Sequence, residues 1–335
     1  MKFSILDQGL IDKITTSEEA IQNSIKLAQV ADKLGYFSYW VAEHHNVHSF
    51  SISCPEIMMM QLAHQTKNIK IGVASILFNL YSPLRTAEMI STMTSVVKNR
   101  FYFALGSNPG TKFIQKAFNY SAESSLTYQE KIKHLFHFLN IQSLKSIKNV
   151  RSVIQSKENK EMFLTTFTLK NAILAAKLGA GLIVGHNFLP DFENTKKIVK
   201  TYRKYFKKHW PDKEEKIIFP TFIVTAENEE KINNLWTPLK FFLLGEEDFN
   251  KFWHFPSLDD VKDRLSEEKE VESKLKILPL VGSPKYIYDQ LLKVKQQLNI
   301  EHFLLIPMVN QIENRIKILE LMQKEHKKRQ NGKIC

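Results

Sequence analysis

The chain reads as a (β/α)8 TIM barrel of the α/β class with an inserted helical segment before the last βα unit. Three observations predict it. Eight short apolar, β-like runs alternate with helical patterns from end to end, as repeated βα units require. No Gly-x-Gly-x-x-Gly follows any of these runs, which argues against an open doubly wound sheet, the second candidate. A length of 335 residues with 43% hydrophobic content suffices to bury the core of one barrel.

The first run, Phe3 to Leu6, begins directly after Met1-Lys2, without the apolar core of a secretion signal. A helix should follow. Thr16-Ser17-Glu18-Glu19 supplies a cap, and Ile21, Ile25, Ala28, Ala31 and Leu34 recur at helical spacing. The second run, Phe37 to Ala42, ends in Glu43-His44-His45-Asn46. In the helix after Pro55-Glu56, Met58-Met59-Met60 offers apolar surface for either the core or a dimer contact. The third run is Ile69 to Phe78 and contains Ala74-Ser75. The fourth, Phe101 to Leu105, precedes the glycine-bearing loop Leu105-Gly106-Ser107-Asn108-Pro109-Gly110-Thr111. Residues 113 to 160 are polar and irregular, with one helix around Glu130 to Leu139. Met162 to Thr166, Leu182 to Val184, Ile217 to Val224 and Phe303 to Ile306 complete the eight. Ahead of the last lie residues 236 to 280, where Phe241-Phe242-Leu243-Leu244 is followed by a stretch rich in Glu and Lys. That segment is the inserted helical element, and insertions at the carboxyl face of a barrel usually build a lid or a contact. With no internal repeat or low-complexity linker, residues 1–330 are expected to form one domain and 331–335 a basic tail.

The formal charge of +12 raises the question of a nucleic-acid partner. The basic residues are scattered, however. The densest runs, Lys204 to Lys208 and Glu325 to Lys333, are interrupted and lysine-biased, as solvated helix faces are. No apolar run approaches the ~20 residues of a membrane span. The two cysteines, Cys54 and Cys335, lie far apart, which excludes a disulfide framework and fits a reducing compartment. A cytoplasmic protein without nucleic-acid or membrane partners is expected.

The chemistry concentrates at Glu43-His44-His45. The carboxyl end of a barrel strand is where such folds carry catalytic groups, and imidazoles exchange protons near neutral pH. Adjacent histidines also occur as caps or packed core residues. A metal site is not expected, because neighbours on a strand end point to opposite sides and no Cys or acidic cluster completes a ligand shell. Four loops would meet at the barrel mouth: Glu43 to Asn46, Ala74-Ser75 with Ile76 to Asn79, Gly106 to Thr111, and Gly185-His186-Asn187-Phe188.

With these motifs the chain resembles the bacterial luciferase-like flavin-dependent monooxygenases. The resemblance rests on Trp40 to Asn46, Ser82-Pro83-Leu84-Arg85-Thr86-Ala87-Glu88, Asn99-Arg100-Phe101, Leu105-Gly106 with Pro109-Gly110-Thr111, Leu178-Gly179, Val281-Gly282-Ser283-Pro284, and Glu320-Leu321-Met322. It spans nearly the whole chain and is weakest over residues 113 to 160. It implies FMN lying across the carboxyl ends of the strands. Reduced flavin and O2 would oxidise an organic substrate through a flavin C4a-peroxide. Free reduced FMN would come from a separate NAD(P)H:flavin reductase, and a homodimer would pair through helices after the early strands. The acid/base role falls on His44, with Glu43 setting its tautomer and charge, and leaves His45 as its alternative or as a structural partner. Ala74-Ser75 matches a pair that forms a non-prolyl cis peptide against the flavin. Gly106 begins a cofactor loop, and Thr166, Thr168 and Asn171 fall where the family has phosphate contacts, although simple helix caps account for them equally.

Three positions depart from the family pattern. Ser107 stands where a phosphate-binding Arg is expected, and Lys112 replaces an acid. Losing a guanidinium fork weakens phosphate recognition by about 1.5–3 kcal/mol unless Lys112 substitutes for it. An F420-type deazaflavin is the alternative cofactor, and a catalytically silent flavin-binding barrel the alternative function. His186-Asn187 replaces the usual pair of histidines, which affects contacts on the cofactor and substrate side. Phe78, Tyr81, Phe188 and Phe241-Phe242 suggest a small apolar substrate, though such aromatics are more often core.

Overall fold

All eight expected runs are strands, and hydrogen bonding closes them into a cylinder. The computed structural model describes residues 1–119, 126–141, 144, 147, 149–154, 156–185, 191–244, 252–275 and 277–331. Its strands are β1 (Lys2–Asp7), β2 (Ser38–Val41), β3 (Lys70–Leu77), β4 (Phe101–Gly106), β5 (Glu161–Thr166), β6 (Gly181–Val184), β7 (Ile217–Val224), β8 (Leu280–Val281) and β9 (His302–Ile306). The pairing is parallel in the order β6-β5-β4-β3-β2-β1-β9-β7, and β6 bonded to β7 shuts the (β/α)8 TIM barrel. β8 was not expected. Its two residues only extend the ladder at Ile223 and Val224 of β7, too short a run to register as a periodic signal.

The helices are α1 (Ser17–Leu34), α2 (Pro55–Gln65), α3 (Pro83–Val96), α4 (Lys112–Ala117), α5 (Tyr128–Phe138), α6 (Leu169–Leu178), α7 (Phe192–His209), α8 (Glu229–Leu244), α9 (Leu258–Val261), α10 (Glu268–Lys274), α11 (Pro284–Leu298) and α12 (Ile312–Asn331). Local sequence sets their limits. Thr16 Oγ1 accepts the Glu19 N–H while Glu19 accepts the Thr16 N–H, the reciprocal box that starts α1. Gly35, at φ 84°, ends it in the left-handed conformation. In α2, Met58 and Met59 enter the core, Met60 packs partly buried against it, and Ile57 faces outward.

Residue 236, the expected start of the inserted segment, falls inside α8, which runs unbroken from Glu229 through Pro238 to Leu244. Beyond it, α9 and α10 bury Val261 and Val271 with Phe241 in a small core of their own. The insertion is fastened to the loops after β1 and β2. The Phe255 N–H donates to the Ile11 carbonyl at 2.7 Å, Lys13 pairs with Asp260 at 2.6 Å, and the His48 and Trp253 rings stack at 4.2 Å. Residues 332–335 of the expected tail lie outside the described residues.

Inside the barrel, even positions of β2 and β3 face inward. Trp40 is fully buried, its indole N–H donating to Ser38 Oγ at 2.7 Å, and Ser38 continues through Ser4 to His302 at 2.6 and 2.7 Å. Tyr102 and Phe163 pack on the same indole. This plug occupies the barrel interior below the rim. Gly72 is required here, because a Cβ would strike the Trp40 ring. Gly72→Ala should cost about 1–3 kcal/mol, as overpacked cores do, measured as a lower denaturation midpoint with native circular dichroism.

Candidate active site

Period-two alternation decides which rim groups meet. Trp40 and Ala42 face the barrel interior, so the chain beyond β2 sends Glu43 and His45 one way and His44 the other. The Glu43 side chain has no solvent exposure. It accepts the Leu77 N–H at 2.8 Å, lies 2.8 Å from His45 Nε2, and takes the Tyr81 hydroxyl in a short hydrogen bond. Burial first, and the Glu43 carboxylate second, push the Tyr81 phenol well above its ordinary value. A cavity of about 140 Å³ lined by Glu43, Tyr81, Arg85, Met89 and Phe103 lies on the outer side of these strands.

His44 has a different environment. Its Nε2 lies 2.7 Å from Gln8 Oε1, its ring packs on Phe50 at 4.3 Å, and its N–H donates to the Ile52 carbonyl. The residue keeps partial solvent exposure, but protein surrounds the ring. Burial, and secondarily His45, lower its pKa to about 4. His44 is therefore neutral at pH 7. The expectation that Glu43 sets the tautomer and charge of His44 is corrected: the carboxylate belongs to His45 and Tyr81, because strand neighbours diverge. Gln8, the residue that does touch His44, escaped the sequence reading. Its only signal is a polar side chain just past an apolar strand.

On the two neighbouring strands, the Ala74–Ser75 peptide is cis, as the resemblance implied. Its hydroxymethyl group lies against Gly106, where any Cβ would collide with Ser75 Oγ. The Ser107 carbonyl accepts the Asn79 amide at 2.5 Å, and Lys131 donates to the Asn79 carbonyl at 2.5 Å. Buried Lys131, its pKa lowered by desolvation, thus staples the loops after β3 and β4 from α5. Lys112 is exposed at the first position of α4, a short helix capped by Thr111.

At the fifth strand, the three polar residues are occupied with capping. Thr168 Oγ1 accepts the Asn171 N–H, Thr166 Oγ1 accepts the Thr168 N–H, and Asn171 Oδ1 accepts the Gln129 amide. One position earlier, Thr165 Oγ1 is buried without a hydrogen-bond partner among the described residues. His186, with Asn187 and Phe188, lies outside the described residues. Among those described, no three His, Cys, Asp or Glu side chains group as metal ligands, and no helix is long and apolar enough to cross a membrane.

A family model described as luciferase-like monooxygenase matches residues 1–302. Over 330 residues the chain is 25% identical to the uncharacterised protein YwcH of Bacillus subtilis (strain 168), covering 96% of this chain and 98% of that one. The crystal structure of apo-MsnO8 superposes with a TM-score of 0.84 at 24% identity, covering 96% of each chain. A type II Baeyer-Villiger monooxygenase, the oxygenating constituent of 3,6-diketocamphane monooxygenase of Pseudomonas putida in complex with FMN, superposes with a TM-score of 0.70 at 14% identity, also over 96% of each. With both structures the likeness is one of fold.

Proposed function

Because the chain belongs to the luciferase-like monooxygenase family, we propose that it is an FMN-dependent monooxygenase that uses reduced flavin and O2 to oxidise a small apolar organic substrate. The observation that carries this reading is the rim of three consecutive strands, where a neutral imidazole at His44 accompanies the cis Ala74–Ser75 peptide and Gly106.

The residues present fit a flat ring. Inward positions at the carboxyl ends of β2, β3 and β4 are Ala42, Ala74 and Gly106, small residues that a flat ring can approach closely. Thr165, on the same face as Phe163, adds a buried hydroxyl without a hydrogen-bond partner among the described residues. Bound reduced flavin would supply the activation of dioxygen, and this chain's residues do the rest. His44 accepts or holds a proton with its neutral ring. His45, fixed by Glu43, supports the loop. Phe50, packed edge-on against Phe242 of the insertion, excludes water. At the phosphate end, Thr166, Thr168 and Asn171 present a capped helix start, Ser107 brings no charge, and Lys112 supplies the cation. A separate NAD(P)H:flavin reductase provides reduced FMN. The protein acts in the cytoplasm as a homodimer, and the exposed Ile57 and Val96 supply apolar contacts on α2 and α3.

The test is to mix photoreduced FMN with aerated buffer, with and without the protein. Delayed return of the oxidised-flavin absorbance is expected. Return at the free-flavin rate, despite a melting-temperature rise with FMN, would favour a silent flavin-binding barrel, the reading that Ser107 in place of arginine supports. The same thermal shift run with an F420-type deazaflavin decides between the two cofactors. Lys112→Ala should weaken FMN binding about two- to fivefold, the scale of a solvent-screened charge pair. It should leave riboflavin binding unchanged, and Ser107→Arg should tighten FMN alone. Equal losses for FMN and riboflavin in a fluorescence titration would remove Lys112 from the phosphate.

A further inference from the structure

We infer that Gln8 is a positioning residue that fixes the tautomer of His44, holding its hydrogen on Nε2 and leaving Nδ1 as the basic nitrogen at the barrel rim. The inference rests on the proposed proton-handling role of His44 only for its consequence in turnover. The geometry stands without it.

An amide oxygen can only accept a hydrogen bond. With Gln8 Oε1 2.7 Å from His44 Nε2, that nitrogen must carry the hydrogen, and a neutral imidazole then has its lone pair on Nδ1. No hydrogen bond from a described residue reaches Nδ1. Gln8 itself is 6% exposed, so water competes poorly for its oxygen.

The segment that carries Gln8 is held on both sides. Asp7 Oδ1 accepts the Gly9 N–H at 2.9 Å and Asp7 Oδ2 takes the Tyr39 hydroxyl at 2.7 Å, a local turn that uses the carboxylate on the outer face of the barrel. Gly9 adopts φ 68°, and a Cβ there would lie 2.6 Å from the Ile52 side chain. The Ser51 N–H and hydroxyl both donate to the Gly9 carbonyl, at 2.8 and 2.9 Å. The His44 N–H bonds the Ile52 carbonyl of the same stretch. Gln8 and His44 thus sit in one frame built from the loops after β1 and β2.

Among the described residues, no carboxylate competes for the ring. Asp7 is engaged by Tyr39 and Gly9, and Glu43 by His45, Tyr81 and Leu77. His45 is the titratable neighbour that acts on His44, and it disfavours the imidazolium. A glutamine here binds the neutral ring through one fixed nitrogen, whereas a carboxylate at the same place would charge it.

The test is long-range ¹H–¹⁵N correlation spectroscopy of ¹⁵N-histidine-labelled protein from pH 5 to 8, with His44 assigned by loss of its signals in His44→Gln. The parent should show a neutral, Nε2-protonated His44 from pH 6 to 8. Gln8→Glu should raise its pKa by about 1–3 units and move the pH profile of reduced-FMN lifetime in air the same way. Gln8→Leu should leave a mixture of tautomers at an unchanged melting temperature, and this comparison suffices if Gln8→Glu fails to fold. An Nδ1-protonated parent, or identical His44 spectra in parent and folded variants, would overturn the inference. Altered spectra with unaltered flavin chemistry would keep Gln8 as the tautomer-setting residue and remove His44 from the reaction.

Discussion

Replacing His44 with alanine should slow turnover ~10²–10⁴-fold, the range of a removed acid/base group, while flavin affinity stays within a few-fold of the parent. The two effects separate because Gln8 and Phe50 meet the ring while the Ile52 carbonyl holds the backbone N–H of His44, so the backbone frame survives loss of the imidazole. A pKa of about 4 means that the parent ring is already in its proton-accepting form throughout the physiological range, so its contribution should not titrate away between pH 6 and 8. His45→Ala is the informative companion. It uncovers the buried Glu43 carboxylate and should lower stability more than it lowers the rate per folded molecule. Rate measurements on both variants, normalised to flavin bound, check the assignment. A larger rate loss for His45→Ala would reverse the roles of the two histidines.

Most of the fold was legible because its signal is repeated. Each apolar run between helical stripes implies the next βα unit, and all eight runs became strands within a few residues of their expected bounds. What escaped was short or unpatterned. β8 has two residues, and α4 has six in a polar stretch where only α5 carries a full helical stripe. At the site, the sequence placed His44, Ala74-Ser75 and Gly106 on neighbouring strand ends, because parallel order carries sequence order to one rim. It misassigned the partner of His44 for a physical reason: adjacent residues on an extended chain diverge, and the group that meets an imidazole comes from the next strand. Gln8 is such a group for His44, as Tyr81 is for the Glu43 carboxylate. Nothing in their own neighbourhood marks them, since their partners lie 36 and 38 residues away.

The largest stability effect should come from a pair that lies outside the chemistry. Asp12, in the loop after β1, and Arg315, in α12, have side chains 4% and 2% exposed and meet at 3.0 Å. Asp12 also accepts the Gln311 N–H at 3.0 Å, and Arg315 donates to the Val309 carbonyl at 3.1 Å. Two ions buried this completely stabilise little as a pair, but either alone is a charge without compensation. Asp12→Ala should therefore cost about 3–5 kcal/mol, seen as a lower urea midpoint. The double variant Asp12→Leu with Arg315→Met should recover much of that loss, because packed apolar side chains need no counter-ion. The position matters to the site as well. Residue 12 bridges to Phe255 of the insertion and precedes α1 by only a few residues, so the pair locks the first loop, which carries Gln8, to the last. A loss below 1 kcal/mol in Asp12→Ala would mean that water reaches the guanidinium and that the rim is looser than its hydrogen bonds imply. In that case the double variant would be no more stable than the single one, and the urea series distinguishes the two outcomes.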